Sequence, residues 1–422
     1  MDRNRRPFSR ARWTALAAVA ALILLILPPG SSYPGSAAGP AASIVVLRPG
    51  VALEPVLRRL GLADDRAVQT YHTVFTGFAA GLSAATRARL SGDPAVAAVF
   101  PNRSYRGAQL ESFSLDGPWI DNAVRRVGAL DSPTAAIDGY DVGVDADIAV
   151  VDSGMPSGNP DLNVVGGVDC TGSGSWEDAV GHGTFVAGLA AARDDGVGVV
   201  GVAPGARLWS VRVMGADETV TDAAYLCGLD WVAEKAATIE VVNLSLGGPG
   251  VDADCGGGGS SALALEHAAV CRIVAGGVVA VASAGNAGAD ARDTNPAGFP
   301  EVVTVSASTD TDGQPGGLGP ESSCYPGGDD TLATYSDFGE AVDITAPGTC
   351  VVSTWLDGRY AVGSGTSASA PLVSGAAALV RVVHPDWPVD EVRQWLLATA
   401  AAGPMAGDSD GYPEPMLNVA GY

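Results

Sequence analysis

The sequence predicts an α/β fold: a mostly parallel central sheet with helices on both faces, preceded by a small α+β domain. Three observations carry this reading. Length comes first, because 422 residues hold one domain of roughly 250–300 residues plus a smaller one. The second is an alternation, beyond residue 147, of short β-branched apolar runs with Ala-rich helical stretches, as expected of strands buried on both faces. The third is composition: 47% hydrophobic, 17% charged and 56 glycines suit a buried sheet with many turns, not a disordered chain.

At the front, Arg3, Arg5, Arg6, Arg10 and Arg12 precede an apolar run over 14–27 and a helix-breaking Pro28-Pro29-Gly30. Residues 1–38 therefore read as a signal peptide, with Ser36-Ala37-Ala38 offering small residues for cleavage, and the mature chain is expected to be secreted. An uncleaved membrane anchor is the alternative, although the run is short for a span. Asn4-Arg5-Arg6-Pro7-Phe8 loosely fits a twin-arginine signal, but the greasy run at 21–27 favours general secretion.

Residues 39–108 read as one small domain. A strand at 43–47 leads to a helix at 53–60, with Leu53, Val56, Leu57 and Leu60 on one face. Strands at 68–75 and 78–82, a helix capped by Ser83 and a strand at 96–100 complete a βαββαβ order, which suits an open-faced sandwich. Residues 102–120, with Arg103, Arg106 and Gly107, lack periodicity and read as an exposed junction. The large domain is therefore placed at 109–422, with strands at 148–151, 208–213, 241–244, 278–282 and 302–305 and a last helix at 391–400.

A net charge of -23 argues against a nucleic-acid partner, which would need Lys and Arg to displace counterions from phosphate. The charge is unevenly divided: residues 39–108 hold eight Arg against four acids, a net of +4, whereas residues 109–422 hold eleven Lys or Arg against 42 acids, a net of -31. Six cysteines (Cys170, Cys227, Cys255, Cys271, Cys324, Cys350) imply disulfides in an exported chain; none has zinc-finger spacing, and fifteen pairings are open. No cofactor is required by any motif. Asp310-Thr311-Asp312-Gly313 and Asp408-Ser409-Asp410-Gly411 could help hold a structural calcium, though such strings are commonly plain turns.

In parallel sheets functional residues follow the carboxyl ends of strands. Asp152 ends one such run and precedes a Ser153-Gly154 turn; alone it reads as a turn cap. His182 lies between Gly181 and Gly183 at the start of an Ala-rich helix, in a chain with only four histidines, and the glycines imply a close approach. Ser367 opens an apolar helix, where its N–H could donate to developing negative charge, although a helix-capping serine is the simpler reading. Asn286 closes another strand at a glycine turn, where its amide could reach an oxyanion. Together they supply what peptide hydrolysis needs: hydroxyl nucleophile, base, orienting carboxylate and oxyanion donors.

These strings resemble the subtilisin-like serine peptidases. VVDSG at Asp152, GHGTFVAG at His182, NLSLGG at 243–248, ASAGN ending at Asn286 and GTSASAP around Ser367 occur in that family's order, as do segments around Pro204 and Pro347. The resemblance implies a three-layer subtilisin-like fold, catalysis by Asp152, His182 and Ser367, and an oxyanion hole from Asn286 and the Ser367 N–H. Ser245, Leu246, Gly247 and Gly248 with Ala282, Ser283, Ala284 and Gly285 would wall an open apolar substrate pocket, and neither string holds an acid. It further implies polypeptide substrates, a monomer, and sequential pairing of Cys170 with Cys227, Cys255 with Cys271 and Cys324 with Cys350. TYHTVFTGFAAGLS and DPAVAAVFP resemble the family's inhibitory propeptide, to be removed by self-cleavage between Arg106 and Asp116. Ala368 departs from the family, which usually has Met or another bulky residue after the nucleophile. A catalytically dead relative would show a replaced triad member, and an α/β-hydrolase would need G-x-S-x-G at the nucleophile; neither applies.

Overall fold

The computed structural model describes residues 42–65, 68–106, 112–115, 117–251, 255, 261–401, 405–408 and 410–422. The expected signal peptide at 1–38 and most of the interval expected to hold the processing bond lie outside the described residues.

The front domain is built from β1 (Ala42–Leu47), α1 (Leu53–Leu60), β2 (Gln69–Tyr71), β3 (Gly77–Gly81), α2 (Ala84–Ser91) and β4 (Val96–Pro101). Its antiparallel sheet runs β2-β3-β1-β4. Strand alternation divides the apolar residues between two faces. Val45, Leu47, Phe78 and Ala80 pack with Leu53, Val56, Leu57 and Leu90 of the two helices. Ile44, Tyr71, Ala79 and Phe100 instead pack on Ala223, Leu226 and Leu265 of the large domain. The second strand is shorter than the expected 68–75. After Tyr71 the backbone N–H groups of His72, Thr73 and Val74 turn to the carboxylate of Asp230, so they cannot continue a ladder.

The junction also differs from the expected exposed segment. Ser104–Arg106 forms β5, which pairs antiparallel with Thr219–Thr221 of the large domain, and Ser112–Phe113 pairs with Tyr360–Ala361. Both short runs lack an apolar period; the waiting strand edges define them.

The large domain follows as β6 (Asp147–Asp152), β7 (Val164–Asp169), α3 (His182–Ala191), β8 (Arg207–Arg212), β9 (Thr219–Thr221) and α4 (Asp222–Glu234). Then come β10 (Val241–Leu244), α5 (Ala262–Ala275), β11 (Val279–Ser283), β12 (Val303–Thr309), β13 (Thr331–Leu332), β14 (Ile344–Pro347), α6 (Thr366–Val383) and α7 (Val389–Thr399). The central sheet runs β7-β8-β6-β10-β11-β12, all parallel. At the end of the sheet β12 pairs with both β14, parallel, and β13, antiparallel, which explains why it outruns the expected 302–305. Alternation again sorts the core: Ile148, Val150, Val279 and Val281 face α3 and α6, whereas Ala149, Val151, Ala280 and Ala282 face α4 and α5. Three disulfides join Cys170 to Cys227, Cys255 to Cys271 and Cys324 to Cys350.

Candidate active site

Asp152 is the last residue of β6 and is wholly buried. His182 is the first residue of α3, and its Nδ1 lies 2.8 Å and 2.9 Å from the two Asp152 carboxylate oxygens. The turn that brings them together is tied by Asp178. Its Oδ1 accepts the Val180 and Gly181 N–H groups at 2.9 Å and 2.8 Å and the Ser153 hydroxyl at 2.8 Å. The Ser153 hydroxyl oxygen in turn accepts the Gly183 N–H at 2.8 Å. The flanking glycines do mark a close approach, but the neighbours are protein: a side chain at Gly183 would strike the Gly154 carbonyl, and one at Gly181 would strike the Trp355 ring.

Burial lowers the His182 pKa, but the Asp152 charge, the Asp152 hydrogen bond and the Asp178 charge outweigh it, and the net shift is upward from the ordinary 6.5. The imidazole is thereby fixed with its Nδ1–H donated to Asp152, leaving Nε2 as the basic nitrogen.

Ser367 stands in the first turn of α6, and its N–H has no acceptor among the described residues, as befits a helix amino end. The turn into the helix depends on Gly365 at φ 157°; a Cβ there would sit 3.1 Å from Ser367 Oγ and 3.5 Å from Asn286 Nδ2, so both atoms border one small space. Asn286 is oriented by its oxygen, which accepts the Thr366 N–H at 2.8 Å and the Thr366 hydroxyl at 3.0 Å. Its Nδ2 donor is thereby turned away from Thr366. No hydrogen bond joins His182 to Ser367 among the described residues; such bonds are commonly long before substrate closes the site.

Pro371 sits inside α6 and has no N–H, so the Ser367 carbonyl loses its ordinary helical donor. The Ser245 hydroxyl donates to it instead, at 3.2 Å. Ser245 Oγ accepts from Asn243 Nδ2 at 2.9 Å, and the Asn243 oxygen accepts from Ser374 at 2.9 Å. Ser245 is therefore a buried support of the Ser367 carbonyl.

Of the other expected wall residues, Leu246, Gly247 and Gly248 line a small cavity of about 50 Å³, together with Met214, Val220, Thr221, Asp222, Tyr225, Glu266 and Asn295. Ala282, Ser283, Ala284 and Gly285 are not among the lining residues of this cavity; Ala282 and Ala284 are buried, and the Gly285 N–H donates to Thr366 Oγ1. The cavity is not purely apolar, because α4 and α5 bring Asp222 and Glu266 to it.

The Asp310 loop gathers Asp310, Asp312 and Asp329. Its carboxylates already have protein partners: Arg126 lies 3.1 Å from Asp310, and Asp329 accepts the Thr311 and Gly319 N–H groups. Ser409 of the second such string lies outside the described residues.

Sequence reading missed Asp178, Asn243, Ser374, Asp222 and Glu266. Asp178, four residues before His182, and the helix-breaking Pro371 were the signals available for the two supporting networks.

The Subtilase family profile matches residues 143–413, and that of peptidase inhibitor I9 matches residues 46–108. The chain is 33% identical over 298 residues to subtilisin E of Bacillus subtilis (strain 168), spanning 69% of each chain. It is 33% identical over 328 residues to an alkaline protease of Alkalihalobacillus alcalophilus, spanning 78% of this chain and 74% of that one. Among solved structures, a cold adapted subtilisin-like serine proteinase aligns with a TM-score of 0.53 at 27% identity, over 68% of this chain and 97% of that chain.

Proposed function

Because this chain belongs to the subtilase family and is a subtilisin-like serine endopeptidase behind an I9 inhibitor domain, we propose that it is made as a secreted zymogen that cuts polypeptides with Asp152, His182 and Ser367. The observation that carries this reading is the Asp152–His182 contact at 2.8 Å at the carboxyl end of an interior strand, together with a serine at a helix amino end beside an oriented amide.

Ser367 Oγ attacks the scissile carbonyl while His182 Nε2 takes its proton. Asp152 holds the Nδ1–H tautomer and stabilises the imidazolium that forms. The tetrahedral oxygen, carrying the electron pair of the broken C=O π bond, is met by Asn286 Nδ2 and the Ser367 N–H. Collapse expels the amine, which takes the proton from His182, and water then releases the acyl group by the same steps in reverse order of roles. The primary pocket favours large apolar side chains. The front domain, whose β5 strand lies along β9, blocks the cleft until self-cleavage in the interval from Arg106 to Asp116.

The test is Ser367→Ala. It folds but keeps residues 39–108 attached, and it neither cleaves a chromogenic peptide nor reacts with a serine-directed phosphonate, whereas the natural chain releases those residues, cleaves the peptide and reacts with the phosphonate. Normal removal of the front domain from the purified variant would refute the self-processing reading.

A further inference from the structure

His267 and Glu301 take no part in the chemistry above, and they stand beside a disulfide. His267, on α5, is wholly buried; its ring stacks on Phe299 with centroids 4.1 Å apart, and its Nε2 lies 2.8 Å from Glu301 Oε2. The other Glu301 oxygen, Oε1, lies 2.9 Å from Cys255 Sγ. Cys271 follows His267 by one helical turn on α5, so both lie on one face, and its sulfur is bonded to that of Cys255. An imidazole nitrogen, a carboxylate oxygen and two sulfurs therefore all lie within 4.8 Å of one another.

The other two disulfides have different surroundings. Cys170 is buried in an apolar cluster that Cys227 packs against, and Cys350 has the Ser322 and Ser323 hydroxyls beside it. Among the described residues, only the Cys255–Cys271 link has a histidine and a carboxylate within reach of its sulfurs. Two thiolates, an imidazole and a carboxylate form a donor set that suits zinc, which binds tetrahedrally at about 2.3 Å from sulfur and about 2.0–2.1 Å from nitrogen or oxygen. Those bond lengths set the donors of one shell roughly 3.3–3.8 Å apart, so the groups around Glu301 need only small movements to reach it. What keeps zinc out is the covalent link, because the metal ligand is the thiolate and a disulfide sulfur carries no charge. Three donors are fixed by regular structure: His267 and Cys271 by α5, and Glu301 two residues before β12. The fourth, Cys255, is exposed, so a reductant can reach it.

We propose that the disulfide and a zinc ion are alternative staples at this place: once a dithiol reduces the Cys255–Cys271 bond, Cys255, Cys271, His267 and Glu301 bind zinc. One thiolate of the dithiol attacks the Cys255 sulfur and expels Cys271. The second thiol then attacks the mixed disulfide, expels Cys255 and closes a cyclic disulfide. The dithiol loses two electrons, and its two protons pass to the cysteines. Zinc displaces both thiol protons to solvent without changing its own oxidation state. Either staple ties α5 to the segment that begins at the pocket residues 246–248, so that segment stays anchored when dithiols remove the covalent bond. The inference does not depend on the peptidase reading.

The test uses the purified Ser367→Ala protein, which cannot digest itself. It is reduced with dithiothreitol, freed of the reagent by anaerobic gel filtration, and titrated with zinc against a chromophoric chelator, then with cobalt(II) as a spectroscopic stand-in. We expect reduced protein to bind one zinc about a hundredfold or more tightly than oxidised protein, and the cobalt form to show sulfur-to-metal charge-transfer bands and the ligand-field bands of a tetrahedral site. A Cys255→Ser/Cys271→Ser variant treated in the same way should lose both signals, and Glu301→Gln, which leaves the cysteines intact, should weaken zinc by about tenfold or more. Zinc should also raise the urea midpoint of the reduced parent and leave that of the double serine variant unchanged. Equal zinc affinity in reduced and oxidised protein overturns the proposal. So does a double serine variant that binds as tightly as its parent, because the metal would then sit at another cysteine pair. An affinity unaffected by Glu301→Gln overturns the four-donor assignment.

Discussion

Asp230 offers the sharpest test of how the front domain is held. Its carboxylate, only 8% exposed, accepts the N–H groups of His72 at 3.1 Å, Thr73 at 2.8 Å and Val74 at 2.5 Å, and all three donors belong to the front domain. Asp230→Ala removes the acceptor and strands three backbone donors in a half-buried interface. Removing one partner of a buried, hydrogen-bonded charge typically costs about 2–5 kcal/mol. Taking about 3 kcal/mol, at about 1.4 kcal/mol per decade, the inhibition constant of added front-domain polypeptide should rise roughly 150-fold. Asp230→Asn keeps one acceptor oxygen and should fall between. The assay is inhibition of the mature enzyme by a polypeptide of residues 39–106, at one fixed ionic strength because the +4 and -31 halves also attract through solvent. The melting temperature of the mature variant should stay near that of the natural enzyme. An inhibition constant within threefold of the natural value would refute the reasoning and leave the apolar contacts of Ile44, Tyr71 and Phe100 as the main source of binding.

The acid limb of kcat/KM should have its midpoint above 6.5, since His182 is held above that value and its protonated form cannot accept the Ser367 proton; Asp178→Asn, by removing one of the charges that raise it, should move the midpoint down, and a pH profile with no such movement counts against the assignment. Removing the Cys170–Cys227 link by a double alanine substitution, in the Ser367→Ala background to prevent autolysis, should lower unfolding free energy by about 4 kcal/mol from the 57-residue separation, read from urea midpoints; a loss under 1 kcal/mol would show that the unfolded chain is not restrained this way. Peroxide should leave most activity intact, because Ala368 carries no sulfur and Met155, Met214, Met405 and Met416 are all buried; rapid loss that tracks Met155 oxidation by mass spectrometry would move the weak point to the aspartate turn.

How much of this was legible in the sequence depended on whether a feature is local. The β-branched runs at 148–151 and 241–244 became strands within a residue of their expected bounds, because burial on both faces demands a continuous apolar run. The helix at 53–60 matched its expectation through its apolar face. Asp152, His182, Asn286 and Ser367 were singled out by neighbouring glycines and by resemblance, and the structure sets Asp152 against His182 and Asn286 beside Ser367. The misses are all non-local. β5 has no pattern of its own and exists because β9 presents a free edge. The strand expected to reach residue 75 stops at Tyr71 because a carboxylate on α4, far along the chain, captures the next three N–H groups. Glu266 reads in sequence as an ordinary helical glutamate, and only the packing of α5 beside residues 246–248 makes it the floor of a cavity.

The proline within α6 has a consequence for redesign. Since the Ser367 carbonyl is anchored by Ser245, just beyond the end of β10, Ser367 takes part of its position from the sheet as well as from the helix that carries it. Engineering of the distal turns of α6, for thermal tolerance or for a different packing volume, should therefore leave the reaction coordinate undisturbed. A change at Ser245, invisible from the surface, would let the same serine drift with every motion of the helix end.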